Sequence, residues 1–346
     1  MPEVLGRSVC LSESNGMFSE TAVSEGMPVF LSLHREEEMD GAYKEKMTAF
    51  CSHLSNHGCR ILADISKRTL QIFEVPDAET LMDQLNLYAV RLDYEFTEAE
   101  TIALAAKRNV IINASTITES EMEALKGNPH VKAMHNFYPR PETGMDEAQL
   151  KRQTDRLHQY GFKVYAFIPG TGEKRGPLRE GLPTLEAHRT VSPLAAFADL
   201  ALHYEIDEIV VGDPQLSDRE DHRIRRFLNE GILEVECRLE PGQEGLYEQV
   251  FTNRIDSPDR LIRIAESREY SVSNGTCIQP EHTRIRNIGS ITMDNEGYGR
   301  YCGEIMIART DLPADPRVNV IGQVSEKDLL LLNCIAGGKK FVFVKE

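Results

Sequence analysis

Polar and ionisable residues recur directly after short apolar runs that have the composition of β-strands. The members of this set that lie inside or at the ends of the runs are His34, Arg91, Asp93, Asn113, His135 and Asn136. Asp64 and Asp213 end two further runs. Asp at such a place often caps the following helix, and Asp213 before Pro214 fits that role too. Because polar groups in strands are costly to bury without a purpose, the set indicates an active site.

A second candidate is the loop 170–181, which combines glycines with the three cations Lys174, Arg175 and Arg179. Glycines let backbone N–H groups approach a ligand, and cations attract anions. In a chain of net charge −16 this local cluster is a candidate anion site, although a solvated loop would have a similar composition. The spacing G-x-x-x-x-G-K-[ST] is absent, so the loop is not a Walker loop.

Eight strand-like runs would position these residues. They are Ser8–Leu11, Val29–Leu33, Arg60–Ile65, Ala89–Tyr94, Val110–Ala114, Val131–Asn136, Lys163–Ile168 and Glu208–Gly212. Helical patterns at Ala42–His57, Glu98–Lys107 and Asp146–Tyr160 lie between them, the second opened by a capping box of Thr97 and Glu100. The alternation predicts a (β/α)8 barrel, an α/β fold, with an open doubly wound sheet as the alternative. In such a barrel the C-terminal strand ends form the active-site mouth.

The pattern changes after Gly231, where long helical periods disappear. Short alternating strands such as Gly303–Ala308 and Lys340–Val344 appear instead. Turn signals separate them at Asn274-Gly275, Asn295-Glu296-Gly297 and Gly337-Gly338. We therefore expect two domains, a barrel at residues 1–232 and a small β-barrel or sandwich at residues 233–346.

Composition excludes several classes of partner. The charge of −16 disfavours nucleic acid and anionic membrane. Seven scattered cysteines without a C-x-x-C spacing indicate reduced thiols in a cytoplasmic protein. Residues 1–16 lack the pattern of a signal peptide, and apolar runs such as Val164–Ile168 fall far short of the ~20 residues of a membrane helix. We expect no metal and no cofactor, because no H-E-x-x-H, Cys/His cluster or Rossmann fingerprint is present, with a metal site at His34, Asp64 and Asp93 as the alternative.

Three stretches resemble a known family. They are His135–Gly144, Lys174–His188, and Asp294-Asn295 followed by Tyr298–Tyr301 and Gly303-Glu304. Together they resemble the bacterial 6-phospho-N-acetylmuramidases over nearly the whole chain. The resemblance implies a (β/α)8 barrel followed by a cyclophilin-like β-barrel domain. It also implies cytoplasmic hydrolysis, in peptidoglycan recycling, of the β-1,4 bond of N-acetylmuramic acid 6-phosphate–N-acetylglucosamine.

The implied substrate carries a phosphate and a lactyl carboxylate, which suit Lys174, Arg175 and Arg179 as phosphate ligands. Glycoside hydrolysis needs carboxyl groups in two roles, and an acetamido sugar also permits substrate-assisted catalysis. The candidate catalytic residues are Asp93, Glu142 and Asp64, and their spacing does not distinguish the working pair or the stereochemical outcome. The expected substrate-binding residues are His34, Arg91, Asn113, His135, Asn136, Arg140, Asp213, Asn295, Tyr298, Arg300 and Glu304.

The stretch 294–304 is interpreted as a hairpin that covers the barrel mouth of its own chain or of a homodimer partner. The alternative is a structural hairpin in which Arg300 pairs with Glu304. Two other functions compete with the hydrolase: a phosphosugar aldolase or epimerase, and a non-catalytic carbohydrate-binding protein. An aldolase needs a Schiff-base lysine, but Lys132 and Lys163 lie at strand starts, the wrong end of the barrel.

Overall fold

The computed structural model describes residues 2–9, 23–33, 42–93, 95–268 and 278–346. The chain divides into two compact units. The barrel unit comprises residues 1–189 and 200–218, and the C-terminal unit comprises residues 190–199 and 219–346. The predicted domain boundary between residues 232 and 233 stays a prediction. Within the described ranges, no helix combines the length and apolar character needed to cross a bilayer.

Eight parallel strands form a closed barrel in chain order. They are β1 Leu5–Val9, β2 Pro28–Ser32, β3 Arg60–Ile65, β4 Ala89–Leu92, β5 Asn109–Asn113, β6 Val131–Met134, β7 Lys163–Ile168 and β8 Glu208–Val211. Strand β1 closes the barrel by pairing with β8, where Gly6 lies opposite Val210. The predicted barrel is therefore confirmed and the open sheet is excluded. The first strand begins earlier than predicted, at Leu5 instead of Ser8.

The helices that alternate with the strands are α1 Tyr43–Asn56, α2 Lys67–Phe73, α3 Ala78–Leu85, α4 Glu98–Ala105, α5 Glu119–Leu125, α6 Glu147–Gln159, α7 Pro193–His203 and α8 Asp218–Glu230. The predicted capping box before α4 is present: Thr97 Oγ1 accepts from Glu100 N at 3.2 Å, and Glu100 Oε2 accepts from Thr97 N at 2.7 Å. Gly161, with φ at +85°, directly follows Tyr160, the C-cap residue of α6.

Side chains of the barrel strands alternate between two buried layers. The inward set is Phe30, Leu62, Ala89, Ile111, Met134, Tyr165, Phe167 and Val210, which fills the barrel interior. Their neighbours along the strands, such as Ala63 and Val90, pack outward in a second apolar cluster. Because strand residues two apart point the same way, this parity decides which polar residues at the strand ends face the mouth.

The C-terminal unit contains a seven-stranded sheet. Its strands are β9 Ile232–Leu239, β10 Val250–Thr252, β11 Leu261–Arg263, β12 Ser290–Asp294, β13 Ile305–Ala308, β14 Val318–Val324 and β15 Lys340–Lys345. Their spatial order is β10-β15-β9-β14-β12-β13-β11, with β15 parallel to β9 and the other pairs antiparallel. The strands predicted at residues 303–308 and 340–344 correspond to β13 and β15. The cyclophilin-like assignment stays a prediction.

A buried arginine joins α8 to this sheet. The fully buried side chain of Arg223 donates to Asp328 Oδ2 at 2.5 Å, to Glu220 Oε1 at 2.5 Å and to the Glu234 carbonyl at 2.6 Å. Breaking one partner of such a network leaves an uncompensated buried charge, so the network fixes α8 on its own unit.

Candidate active site at the barrel mouth

Parity brings four of the predicted polar residues to the interior of the mouth. Asp64 lies two positions after the inward Leu62, and Arg91 lies two after the inward Ala89. Asn113 and Asn136 follow Ile111 and Met134 in the same way. Each therefore extends the interior layer by one step toward the C-terminal end of the strands, where barrel enzymes build their active sites.

Three of these side chains form one hydrogen-bonded network. Arg91 Nε donates to Asp64 Oδ1 at 2.5 Å and Arg91 Nη2 donates to Asp64 Oδ2 at 2.8 Å, which makes the ion pair bidentate. Arg91 Nη1 donates to Asn136 Oδ1 at 3.3 Å. Such forked pairs fix the geometry of both partners. The Asp64 carboxylate is therefore held in a fixed orientation at the mouth.

A cavity of about 650 Å³ opens beside this network. Its polar lining includes Ser32, Asp64, Arg91, Asp93, Glu98, Thr101, Asn113, Thr116 and Glu121. Its apolar lining includes Ile65, Leu92, Phe96, Ile111, Ile112, Ile117, Leu125 and Phe137. Arg91 is the one cation among these described lining residues, and its charge faces four carboxylates. The cavity therefore suits a neutral polar group better than an anion.

The three candidate catalytic acids occupy different environments. Asp64 is paired with Arg91, and Asp93 is half-buried and lines the same cavity. Glu142 is exposed, has φ at +69° and is not among the lining residues. Its backbone N–H donates to Glu186 Oε1 at 3.0 Å. The structure therefore brings Asp64 and Asp93 to one cavity and does not bring Glu142 there.

Asp213 organises the loop after β7. Its carboxylate accepts from the backbone N–H groups of Gly170 at 2.9 Å, Arg175 at 3.1 Å and Leu182 at 3.3 Å. The side chain of Lys174 lies 3.6 Å from the same carboxylate and donates to the Gly170 carbonyl. The buried Asp213 thus holds the loop in shape, and its contact with substrate stays a prediction.

The predicted phosphate ligands also separate. The side chain of Arg175 is buried, and its Nη2 donates to Ser8 Oγ of the inward face of β1 at 3.2 Å. Lys174 is engaged with Asp213, as described above. Arg179 is exposed, with φ at +58°. Of the three cations, Arg175 is the one whose charge is directed toward the barrel interior.

His135 and Asn136 are neighbours with opposite orientations. Since Asn136 faces inward, His135 points outward, where its Nε2 lies 3.2 Å from Thr154 Oγ1 of α6. Burial lowers the pKa of His135 to about 3, so the imidazole is neutral. The structure does not bring His135 together with Arg91 and Asn136. His34 lies outside the described residues, and Arg140 is exposed.

The predicted substrate-binding residues of the C-terminal unit lie in the connection between β12 and β13. Its segment Glu296–Tyr301 consists of 3₁₀ turns interrupted by a kink at Gly299. Asn295 caps it, accepting from Gly297 N at 3.0 Å. Arg300 donates to the Tyr301 hydroxyl at 2.6 Å and stacks on that ring, with its Cζ 4.8 Å from the centroid. Glu304 pairs with Arg263 at 3.1 Å. The alternative pairing of Arg300 with Glu304 is therefore wrong.

Two further groups in that connection are set by their neighbours. The Tyr298 hydroxyl donates to Asp315 at 2.8 Å, and burial together with this bond raises the pKa of Tyr298. Burial, and after it the nearby charges of Glu304 and Asp315, raise the pKa of Asp294 to about 7. These contacts give the segment a structural role within its own unit, and its contact with substrate stays a prediction.

Sequence reasoning missed several residues that shape the mouth. The cavity is also lined by Phe96, Thr116 and Phe137. None of these residues is charged, so a search for ionisable groups at strand ends does not find them. Glu186 and Arg189 form a bidentate ion pair within the segment after β7, and both also contact backbone groups of the loop after β6. Their spacing of three residues is a usable signal for a pair on one helical turn, but it does not reveal the partners on other loops.

Two solved structures resemble this chain over nearly its whole length. A crystal structure described as a conserved protein from a locus in Enterococcus faecalis with an unknown function is 31% identical, with a TM-score of 0.85, covering 99% of this chain and 96% of that chain. An uncharacterised B. cereus protein is 20% identical, with a TM-score of 0.77 over 99% of this chain and 100% of that chain, which shows the fold alone. No curated protein matches the sequence.

Two family descriptions match the chain directly. The one described as 6-phospho-N-acetylmuramidase, N-terminal, matches residues 7–226. The one described as 6-phospho-N-acetylmuramidase, C-terminal, matches residues 232–344. A muramidase is a glycoside hydrolase, so these matches support a glycosidase role in general. Because the two matches span nearly its whole length, the chain belongs to the 6-phospho-N-acetylmuramidase family.

Proposed function

We propose that this chain hydrolyses the β-1,4 bond between N-acetylmuramic acid 6-phosphate and N-acetylglucosamine. The observation that carries the proposal is the Asp64–Arg91–Asn136 network beside Asp93 in one cavity at the barrel mouth. Family membership supplies the substrate class. The reaction belongs in the cytoplasm, as a step of peptidoglycan recycling that follows import and phosphorylation of the disaccharide.

The two carboxyl groups of the cavity take different roles. Glycoside hydrolysis requires one protonated acid for the leaving oxygen and a negative charge that stabilises the oxocarbenium-like transition state. Asp64 accepts two charge-assisted bonds from Arg91 and so supplies the fixed negative charge. We assign Asp93 as the general acid, because it lines the same cavity and Glu142 does not.

Charge distribution orients the substrate. The cavity over β3–β5 is lined by four carboxylates and one arginine, so a phosphate would be repelled there. The buried Arg175, beside Ser8 of β1, offers the opposite charge. We therefore place the neutral sugar in the cavity and the phosphorylated sugar on the side of the mouth that carries Arg175.

The alternative enzyme class gains no support from the barrel. A Schiff-base aldolase needs a lysine on a barrel strand near the mouth. Lys132 instead lies at the start of β6, where its Nζ donates to Asn109 Oδ1 at 2.9 Å and to the Pro129 carbonyl at 3.0 Å. Both contacts belong to the N-terminal end of the barrel.

The test is a product assay on the full chain. Purified protein is incubated with the phosphorylated disaccharide and with its unphosphorylated form, and the released sugars are quantified by mass spectrometry. The proposal predicts two monosaccharides from the phosphorylated form and a much slower release from the other. Tight binding without release would support a carbohydrate-binding protein, and any other product would indicate a different phosphosugar enzyme.

A further inference from the structure

A half-buried ion pair at the mouth end of the barrel has no role in the chemistry derived so far. Glu186 and Arg189 lie on one short 3₁₀ turn after β7. Arg189 Nε donates to Glu186 Oε1 and Arg189 Nη2 donates to Glu186 Oε2, both at 2.7 Å. The Arg189 side chain is only 8% exposed. The Glu186 side chain is 31% exposed, so the pair is shielded on the arginine side and partly open to solvent on the carboxylate side.

The remaining donors of Arg189 join two loops. Nη1 donates to the carbonyls of Glu180 at 3.3 Å and Gly181 at 3.1 Å, within the loop that follows β7. Nη2 donates to the carbonyls of Tyr138 at 3.0 Å and Arg140 at 3.3 Å, within the loop that follows β6. One planar guanidinium thus contacts both loops, which a lysine could not do with the same geometry.

Glu186 holds the loop after β6 from its other side. Its carboxylate accepts from the backbone N–H groups of Glu142 at 3.0 Å and Gly144 at 2.8 Å. A Cβ at Gly144 would lie 2.5 Å from Glu186 Oε2 and 2.8 Å from Glu186 backbone atoms, so this approach requires glycine. Arg189, and after it the two backbone bonds, lower the pKa of Glu186 to about 2, so the carboxylate stays charged.

The two loops carry opposite parts of the proposed site. The loop after β6 begins with Asn136, which contacts Arg91, and Phe137, which lines the cavity. The loop after β7 carries Arg175. Thr184 Oγ1 donates to the Asn136 carbonyl at 2.9 Å, so the loops also touch next to the cavity wall.

We propose that Glu186 and Arg189 form a positioning clamp that sets the distance between the cavity and Arg175. The clamp matters for a ligand that reaches both places and not for a ligand that occupies one. It therefore determines specificity for the disaccharide over its component sugars. This inference rests on the proposed function, because that function supplies the two-ended substrate.

The test compares the phosphorylated disaccharide, which reaches both the cavity and Arg175, with N-acetylmuramic acid 6-phosphate, which occupies only the Arg175 side. Arg189→Lys keeps the charge and loses the fork, and Gly144→Ala displaces Glu186 without removing either charged group. Both variants are expected to lower kcat/KM for the phosphorylated disaccharide at least about tenfold, since small misplacements of bound groups are costly. Their calorimetric affinity for N-acetylmuramic acid 6-phosphate alone is expected to equal that of the wild type.

Glu208→Gln is the matched control, because Glu208 forms a similar bidentate pair with Arg60 at the other end of the barrel. Glu208→Gln should leave unchanged both kcat/KM for the disaccharide and the affinity for N-acetylmuramic acid 6-phosphate. The proposal is wrong if the Arg189→Lys and Gly144→Ala proteins keep the wild-type kcat/KM for the disaccharide. It is also wrong if their affinity for N-acetylmuramic acid 6-phosphate falls by the same factor as kcat/KM. If the wild type binds the disaccharide without cleaving it, the proposed function is wrong. The positioning role of Glu186 and Arg189 is then tested by binding alone: the variants should lose affinity for the disaccharide and keep their affinity for N-acetylmuramic acid 6-phosphate.

Discussion

Among the described residues, a forked arginine–carboxylate pair joins two strands at each end of the barrel, and the surroundings of these two pairs differ. At the N-terminal end Arg60 donates to the two oxygens of Glu208 at 2.9 and 3.1 Å. At the C-terminal end Arg91 donates to the two oxygens of Asp64 at 2.5 and 2.8 Å. The chemistry of the two pairs is the same, so any difference in function must come from what surrounds them.

The N-terminal pair lies among groups that satisfy one another. Lys132 is buried, and burial lowers its pKa while Asn109 and a carbonyl accept its bonds. Tyr165, also buried, has its pKa raised by burial. The C-terminal pair instead borders a cavity of about 650 Å³ that Asp93 shares. The comparison teaches that an interior ion pair becomes chemically useful where strand ends leave space for a ligand, and otherwise only stabilises.

Removing the proton of Asp93 should have the largest effect on activity. Asp93→Asn keeps the shape of the side chain and removes its acid, so kcat is expected to fall by about a hundredfold or more. The measurement is steady-state kinetics on the phosphorylated disaccharide, with circular dichroism to confirm folding. Near-normal turnover by a folded Asp93→Asn protein would assign the general acid to another residue.

Removing the charge of Arg175 should weaken substrate binding. A charge-assisted bond to a desolvated phosphate is worth about 1.5–3 kcal/mol. Arg175→Ala is therefore expected to raise KM for the phosphorylated disaccharide by about tenfold to a hundredfold, with a smaller change in kcat. Kinetics with phosphorylated and unphosphorylated substrates provide the comparison. If the variant prefers the phosphorylated form as strongly as the wild type does, the phosphate lies elsewhere.

Breaking the Arg60–Glu208 pair at the N-terminal end of the barrel should lower stability and leave kcat unchanged. Glu208→Gln leaves Arg60 partly buried without its carboxylate, which we expect to lower the free energy of unfolding by about 1–3 kcal/mol. Chemical denaturation measures the loss, and kcat should equal that of the wild type. A Glu208→Gln protein of normal stability but reduced kcat would contradict the contrast between the two ends.

Two histidines should give the two ends opposite pH dependence. Burial lowers the pKa of His135, which lies beside the mouth, to about 3. Its contribution to the free energy of unfolding is therefore fully present above the usual histidine pKa of about 6.5. That contribution is lost as the pH falls from about 6.5 toward about 3. His158 is bonded to Asp207, directly before β8, which raises its pKa. Its contribution is present below about pH 6.5 and is lost as pH rises through the raised pKa.

Denaturation between pH 4 and pH 9 measures both effects. His135→Gln should flatten the acid side of the stability curve by at most about 1.4 kcal/mol per pH unit, and His158→Gln should flatten the neutral to alkaline side. If His135→Gln leaves the acid slope unchanged, the histidine is not a buried neutral group in solution.

The barrel was predictable from sequence because each strand is a short apolar run between polar segments. Helix boundaries were predictable where local chemistry sets them, as with Thr97 and Glu100. The sequence also placed Asp64, Arg91 and Asn136 at one mouth, and the structure confirms that they meet. Strict strand parity could already have separated His135 from Asn136, since adjacent strand residues face opposite sides.

Other features depend on contacts that spacing cannot express. Asp213 takes its role from backbone groups of Gly170, Arg175 and Leu182, which only the folded loop brings together. Glu186 likewise contacts backbone groups more than forty residues earlier in the chain. Such loop-to-side-chain contacts leave no periodic pattern, because backbone partners exist at every residue.

The most direct test of the central claim compares matched isosteric changes at the two ends of the barrel. Asp64→Asn and Glu208→Gln each remove one carboxylate from a forked arginine pair. The measurement is the release rate of the two monosaccharides from the phosphorylated disaccharide at saturating substrate, normalised to folded protein. We expect Asp64→Asn to be at least about a hundredfold slower than the wild type and Glu208→Gln to be equal to it. Equal rates for the two variants would contradict the assignment of the active site to the C-terminal end of the barrel.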